Sequence, residues 1–243
     1  MLATETLILA GRLRGVSLNL RVGEVTAICG PNGAGKSSLL SCLAGLIAPS
    51  AGRVLLDGAA LSAVQPQARA RALGYLPQTP KVAWDVSVET LAGLGRLPWR
   101  TGAAADALAI EAALSALDLQ AFAHRPVAQL SGGERARALL ARVLAGTPRW
   151  LLADEPLANL DLAHQLALLS HLRACAGQGM GVVLVLHDLA LAMNHADRVV
   201  VLDQGAVAAD GPPELALAEP VLEQVWGVKA QWLGDSGRRA LAV

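Results

Sequence analysis

An excess of charge of either sign is missing from this chain: 20 Lys and Arg balance 20 Asp and Glu over 243 residues. No global field is therefore available to hold a polyanion, and no nucleic-acid partner is expected. Long apolar runs are missing as well. Stretches such as Val182-Val183-Leu184-Val185-Leu186 fall far short of the roughly 20 residues that span a bilayer. No membrane-crossing helix is expected, although 53% of the residues are hydrophobic. That fraction suffices for one domain with a sizeable core. The start, Met1-Leu2-Ala3-Thr4-Glu5, has an acid where a signal peptide has its basic region, so none is expected. Cysteine is scarce. Cys29, Cys42 and Cys175 have no metal-site spacing and are read as small buried hydrophobes in a reducing setting.

Against these absences stand three segments that carry chemistry. Gly30-Pro31-Asn32-Gly33-Ala34-Gly35-Lys36-Ser37 fits G-x-x-x-x-G-K-[ST], a loop whose backbone N–H groups wrap nucleotide phosphates. It follows a β-rich run at 25–29 and precedes helically spaced leucines at 36–44, which predicts strand, loop, helix. Gly30, Gly33 and Gly35 let amides approach the phosphates, and the helix start presents its positive end. Lys36 adds a full charge, and the Ser37 hydroxyl is placed to ligate Mg²⁺. The second segment, Trp150-Leu151-Leu152-Ala153-Asp154-Glu155, is an apolar strand ending in two carboxylates, which are costly there unless a cation or proton meets them. Alternation along a strand would turn Asp154 toward the metal and Glu155 toward a reacting water. The third is Leu130-Ser131-Gly132-Gly133-Glu134, a second anion-binding helix start.

These segments, with 130–134 lying between the other two along the chain, and together with Gln78 and His187, resemble the ATP-binding cassette (ABC) ATPases over nearly the whole chain. The resemblance implies an α/β fold: a P-loop NTPase core with a mainly parallel sheet, a small antiparallel β region and an inserted α-helical subdomain. The core would comprise 1–78 and 146–243, and the helical part 79–145. Apolar runs at 53–56, 73–76, 150–153, 182–186, 199–202 and 206–209, several of them separated by helices, agree with a buried parallel sheet. Asp203-Gln204-Gly205 reads as a hairpin turn. A helix is expected within 103–119, and 234–239 is expected to be mobile.

The resemblance also distributes roles. Glu155, His187 and Gln78 would be catalytic, and Ser37, Gln78 and Asp154 would hold Mg²⁺. ATP would lie on Gly30, Pro31, Asn32, Gly33, Ala34, Gly35, Lys36, Ser37 and Ser38. Ser131, Gly132 and Gly133 would close on the ATP of a second copy, and Asp161, in Leu157-Ala158-Asn159-Leu160-Asp161, would cross between subunits. The implied partners are a second copy, polytopic permease subunits and, indirectly, a substrate-binding protein, at the cytoplasmic face of the inner membrane.

The segments 84–91 and 93–100 and the ending Val225-Trp226-Gly227-Val228 resemble the ATPases of importers for iron siderophores, haem and cobalamin. The short N-terminal region is most similar to that of vitamin B12 importers. The alternatives are the ATPase of another ABC transporter, or a soluble non-transport cassette ATPase acting in translation or DNA repair or as a regulatory binding module; such soluble proteins commonly fuse two cassettes or carry a long coiled coil, and neither pattern occurs here. Two departures from the family stand out. Ala136 replaces a frequent glutamine, and no aromatic precedes Tyr75, where the family usually stacks a ring on adenine. Arg12 or Arg14 could lay a planar guanidinium over the base instead.

Overall fold

The structure, a computed structural model, describes residues 1–78, 85–158 and 160–243. Thr79 and Trp84, which open two of the expected segments, and Asn159 lie outside the described residues. Strands β3 (Val25–Cys29), β6 (Leu73–Leu76), β7 (Trp150–Asp154), β8 (Gly181–Val185), β9 (Arg198–Asp203) and β10 (Ala206–Gly211) form one sheet in the order β10-β9-β3-β8-β7-β6. All neighbours run parallel except β10, which pairs antiparallel with β9. The β9–β10 turn has φ of 45 at Gln204 and 83 at Gly205, the two positive values that a tight I′ hairpin requires.

This sheet is apolar on both faces, and alternate residues feed two cores. Val182, Leu184, Val199 and Val201 enter one; Val183, Val185, Val200 and Leu202 enter the other. The second core also receives Leu39, Leu40 and Leu43 of α1 (Lys36–Leu43). Helix α1 lies between the main sheet and a second, antiparallel one, touching β7 and β8 on one side and β1 on the other. That second sheet has the order β2-β1-β4-β5, from β1 (Leu2–Leu9), β2 (Leu13–Leu20), β4 (Ala51–Leu56) and β5 (Ala59–Ala60).

Strands β1 and β2 are absent from the sequence-based expectation. In β1 the period-two signal is broken by Thr6, whose φ is 44, and by shifts of register between Thr4 and Ile8. Its partner carries Arg14 at an exposed position before the buried Val16, Leu18 and Leu20 resume the alternation.

Beyond β6 the described chain is helical up to β7. Helices α3 (Val88–Gly93), α4 (Ala103–Ala116) and α5 (Gly132–Ala145) pack on one another through residues such as Leu91, Leu114 and Leu140. The C-terminal end of α5 is clamped. Arg96 Nη1 donates to Ala145 O at 3.1 Å and Trp99 Nε1 to Gly146 O at 2.7 Å. The guanidinium carbons of Arg96 and Arg71 each lie over the Trp99 ring, 5.0 and 5.2 Å from its centre. Arg71 belongs to α2 (Pro66–Ala72) and also donates to the carbonyls of Pro98 and Trp99, at 2.9 and 3.0 Å.

Helix α6 (Leu162–Gly177) precedes β8, α7 (Leu189–His195) precedes β9, and α8 (Pro213–Ala216) and α9 (Glu219–Trp226) follow β10. The tail segment expected to be mobile has a defined conformation. Residues 234–239 form the loop of a hairpin between β11 (Gln231–Leu233) and β12 (Ala240–Ala242). The Asn194 amide exchanges two 2.8 Å hydrogen bonds with the Arg239 backbone. Among the described residues no helix is long and apolar enough to cross a membrane.

Candidate nucleotide site

Parallel strands deliver their following loops to one edge of a sheet, which is where α/β proteins build their sites. The loops after β3, β6, β7 and β8 carry the glycine segment, Gln78, the two carboxylates and His187. The first is shaped by close packing. A Cβ on Gly30 would collide with the Leu202 carbonyl, and one on Gly35 would lie 2.7 Å from the Arg12 carbonyl oxygen. Gly35 also has φ 100 and starts α1 with no side-chain cap, leaving the first N–H groups of that helix uncommitted. Lys36 Nζ curls back to the Gly30 and Pro31 carbonyls, at 2.7 and 2.9 Å. Burial pulls the Lys36 ammonium below its usual pKa, against the opposing pull of Glu155, Cys29 and Asp154. Ala34 is buried in the core.

Asp154 is buried, and its Oδ1 has no hydrogen-bond partner among the described residues. Burial raises the pKa of its carboxyl, with Glu155 adding to the rise; a hydrogen bond from the Ser37 hydroxyl, Lys36 and His187 work against it. Glu155 requires a correction. The strand ends at Asp154, and Glu155 has φ 51, so a left-handed turn and not strand alternation separates the two acids. That turn sends the Glu155 carboxylate to His187, whose Nε2 lies 2.5 Å from Glu155 Oε1.

Gly11, Arg12, Asn32, Gly33, Gly35, Lys36, Ser37, Ser38, Gln78, Glu155 and His187 line one cleft of about 780 Å³. A cavity of about 370 Å³ beside it shares Gln78 and Glu155, and adds Asp154, Gly132, Arg135 and Ala136. Ala136 and Gln78 line the same cavity. Arg135 escaped the sequence reading because nothing marks one arginine of α5 from the next. Ser131 and Gly133 line neither space, nor does Asp161.

Ser131 is the N-cap of α5. Its Oγ accepts the Glu134 N–H at 3.3 Å, and Glu134 Oε2 accepts the Ser131 N–H at 2.8 Å, a capping box. The Ser131 hydrogen bonds hold the Glu134 carboxyl below its usual range. Asp161 caps α6 within this chain, accepting the His164 N–H at 2.9 Å and facing its Nδ1 at 2.7 Å. Of the two candidate arginines only Arg12 reaches the cleft.

The model of the ABC transporter family matches residues 13–158, which span the glycine loop, Gln78, the Ser131 cap and both carboxylates. The chain belongs to the ABC transporter family. Among ABC proteins, the hemin import ATP-binding protein HmuV of Rhodococcus jostii is 48% identical over 87% of this chain and 73% of its own length. A putative metal-chelate type ABC transporter in an inward-facing conformation has a cassette that superimposes with a TM-score of 0.83. It is 26% identical and covers 99% of this chain and 95% of that one. An ABC cassette dimer in a post-hydrolysis state, bound to ADP and Pi, gives a TM-score of 0.79 at 25% identity, covering 88% of this chain and 99% of that one.

Proposed function

We propose that this ABC ATPase drives a haem importer, bound to the cytoplasmic face of the membrane through permease subunits and fed indirectly by a substrate-binding protein. The cargo class rests on the import name of the 48% identical relative, with the metal-chelate transporter in agreement. Two lobes carry the work in this reading: 1–78 with 146–243 for the nucleotide, and 79–145 for the second cradle.

The observation that carries the catalytic assignment is the meeting of Glu155 and His187 at the mouth of the glycine-loop cleft. ATP phosphates fit the open N–H groups of α1, with Lys36 exchanging the Gly30 and Pro31 carbonyls for the β- and γ-phosphates. Mg²⁺ also fits. The orphaned Asp154 oxygen lies beside the Ser37 hydroxyl, and Gln78 offers a further hard oxygen ligand. When bound, the ion neutralises phosphate charge and fixes its geometry. Glu155 then orients the attacking water and draws its proton, while His187, hydrogen-bonded to Glu155, contacts the γ-phosphate. Ser131, Gly132 and Gly133 line no part of the glycine-loop cleft. They complete the site from a second copy, with Asp161 at the crossing.

The test is to purify the chain in detergent with its permease, reconstitute it, and measure ATP hydrolysis with haem-loaded, cobalamin-loaded or siderophore-loaded binding protein. Stimulation by haem alone is expected. Recovery of ribosomes in place of a polytopic permease would reject a transport role.

A further inference from the structure

At the edge of the main sheet opposite the glycine loop there is a cavity that shares no lining residue with the nucleotide cleft. It is walled by α4 and the end of α5 on one side, and on the other by α6 and the loops that lead into β7 and β8. Its volume is about 470 Å³, the size of a small-molecule or cofactor site. The cavity stays open because the α4 residues that line it are small. Ala109, Ala112, Ala113 and Ala116 recur at the spacing of one helical face, and their methyl groups do not fill the gap to α6, which packs on β3 and β8.

Two donor side chains show what chemistry it can hold. His171 and Cys175, one turn apart on α6, both line the cavity, with His171 Nε2 3.4 Å from Cys175 Sγ. Burial lowers the pKa of the imidazole and raises that of the thiol, so at neutral pH both are uncharged, and a neutral imidazole is a good metal ligand. A bare ion is poorly served here. Among the described residues no group of three or more His, Cys, Asp and Glu could hold one, and His171 with Cys175 would leave a tetrahedral ion half-coordinated. An iron porphyrin brings four nitrogens of its own and asks the protein for an axial donor and flat apolar walls. Those walls are the alanine methyls of α4, Leu144 of α5 and the polarisable Met180 thioether, which suits an aromatic edge. Arg149, also on the lining, is half exposed and paired with Asp57; its other guanidinium donors suit a carboxylate side arm.

We propose that this cavity binds an iron porphyrin with the His171 imidazole as axial ligand, and that haem arriving on this side of the membrane thereby restrains the ATPase; the second half rests on the haem-importer reading. The restraint follows from Leu144. It lies in the last turn of α5, whose N-cap is Ser131, so a ring wedged between α5 and α6 holds still the helix that brings the Ser131 cradle to a neighbouring copy's phosphates.

The test titrates ferric haem into the purified full-length chain, follows the Soret band with iron-free protoporphyrin as control, and measures ATP hydrolysis with and without haem. The wild type should show the spectrum of imidazole-ligated iron and lose hydrolysis several-fold once haem is bound. His171→Ala should weaken haem binding by at least roughly 10- to 100-fold, the loss that removing a mere supporting group causes at metal sites, and its hydrolysis should be indifferent to haem. Ala112→Trp, which fills the cavity from an exposed position on α4, should exclude haem as well, and Cys175→Ser should retain it. Iron-free protoporphyrin binding as tightly as haem, equal inhibition of the wild type and His171→Ala, or haem affinity that survives both His171→Ala and Ala112→Trp would overturn the inference. Reconstituted turnover with loaded binding proteins judges the importer reading separately. Stimulation by haem beside a wild type with no Soret shift removes only this inference, whereas a His171-dependent spectrum beside stimulation by a siderophore alone removes haem as cargo and leaves the porphyrin site standing.

Discussion

The chain has two glycine-rich helix starts, and they are finished in opposite ways. At α1 no side chain caps the helix, Gly35 takes a left-handed conformation against the Arg12 carbonyl, and the nearest cation bonds to backbone carbonyls that a phosphate can replace. At α5 the cap is complete, and the Glu134 carboxylate already faces the positive end of the helix. The first is left unsatisfied and calls for an anion. The second is stable alone, so an anion gains there only the Ser131 hydroxyl and the first N–H groups of α5. Such a modest cradle acts best when a neighbouring copy presents phosphates already held elsewhere.

The sharpest way to break this comparison is to alter each cradle separately. Lys36→Ala should abolish nucleotide binding and turnover together, whereas Ser131→Arg should leave binding by the single chain intact and reduce hydrolysis to background. A fluorescent ATP analogue titrated beside a turnover assay reads both, and equal loss of binding in the two variants ends the distinction. Glu155→Gln should lower hydrolysis on the order of 10²-fold while keeping ATP bound, so an ATP-loaded dimer should appear on size-exclusion chromatography; wild-type turnover in this variant would falsify the role of Glu155.

A smaller effect is expected at Cys29, immediately before the glycine loop. Burial pushes its thiol up to about 12, so alkylation near neutral pH must wait for local opening. Nucleotide should slow that labelling several-fold while leaving half-buried Cys175 unaffected, as peptide mass spectrometry would show. The smallest effects are thermal. Ser131→Ala removes a cap worth about 1 kcal/mol, and Gly35→Ala forces a side chain into a left-handed turn at about 1–3 kcal/mol. Calorimetry without nucleotide should find Gly35→Ala the less stable, and the reverse order would contradict the packing described at Arg12.

The sequence is most legible where a residue type answers a local backbone need. The glycines of the P-loop, the continuous apolar runs of β8 and β9, and the Gln204-Gly205 turn all declare themselves within a few positions. What stayed hidden depends on contacts between distant segments. Strands β1 and β2 are blurred by the irregularity at Thr6. Glu155 owes its direction to a positive φ that a run of Ala-Asp-Glu-Pro does not announce. The tail is held by Asn194, some 45 positions away. Arg12 and Arg14 are alike in sequence; only the fold, which places Arg12 and not Arg14 at the glycine-loop cleft, tells them apart.

The clamp of Arg71, Trp99 and Arg96 gives α5 a fulcrum. It grips the Ala145 and Gly146 end, while the opposite end, 14 residues away, carries the Ser131 cap. At 1.5 Å per residue the arm is about 21 Å long, so a pivot of about 10° swings its tip by roughly 4 Å. That sweep is the difference between a hydrogen bond and open water. In the proposed dimer, a small tilt at the Trp99 stack would suffice to bring the Ser131 end up to a neighbouring phosphate or to carry it away.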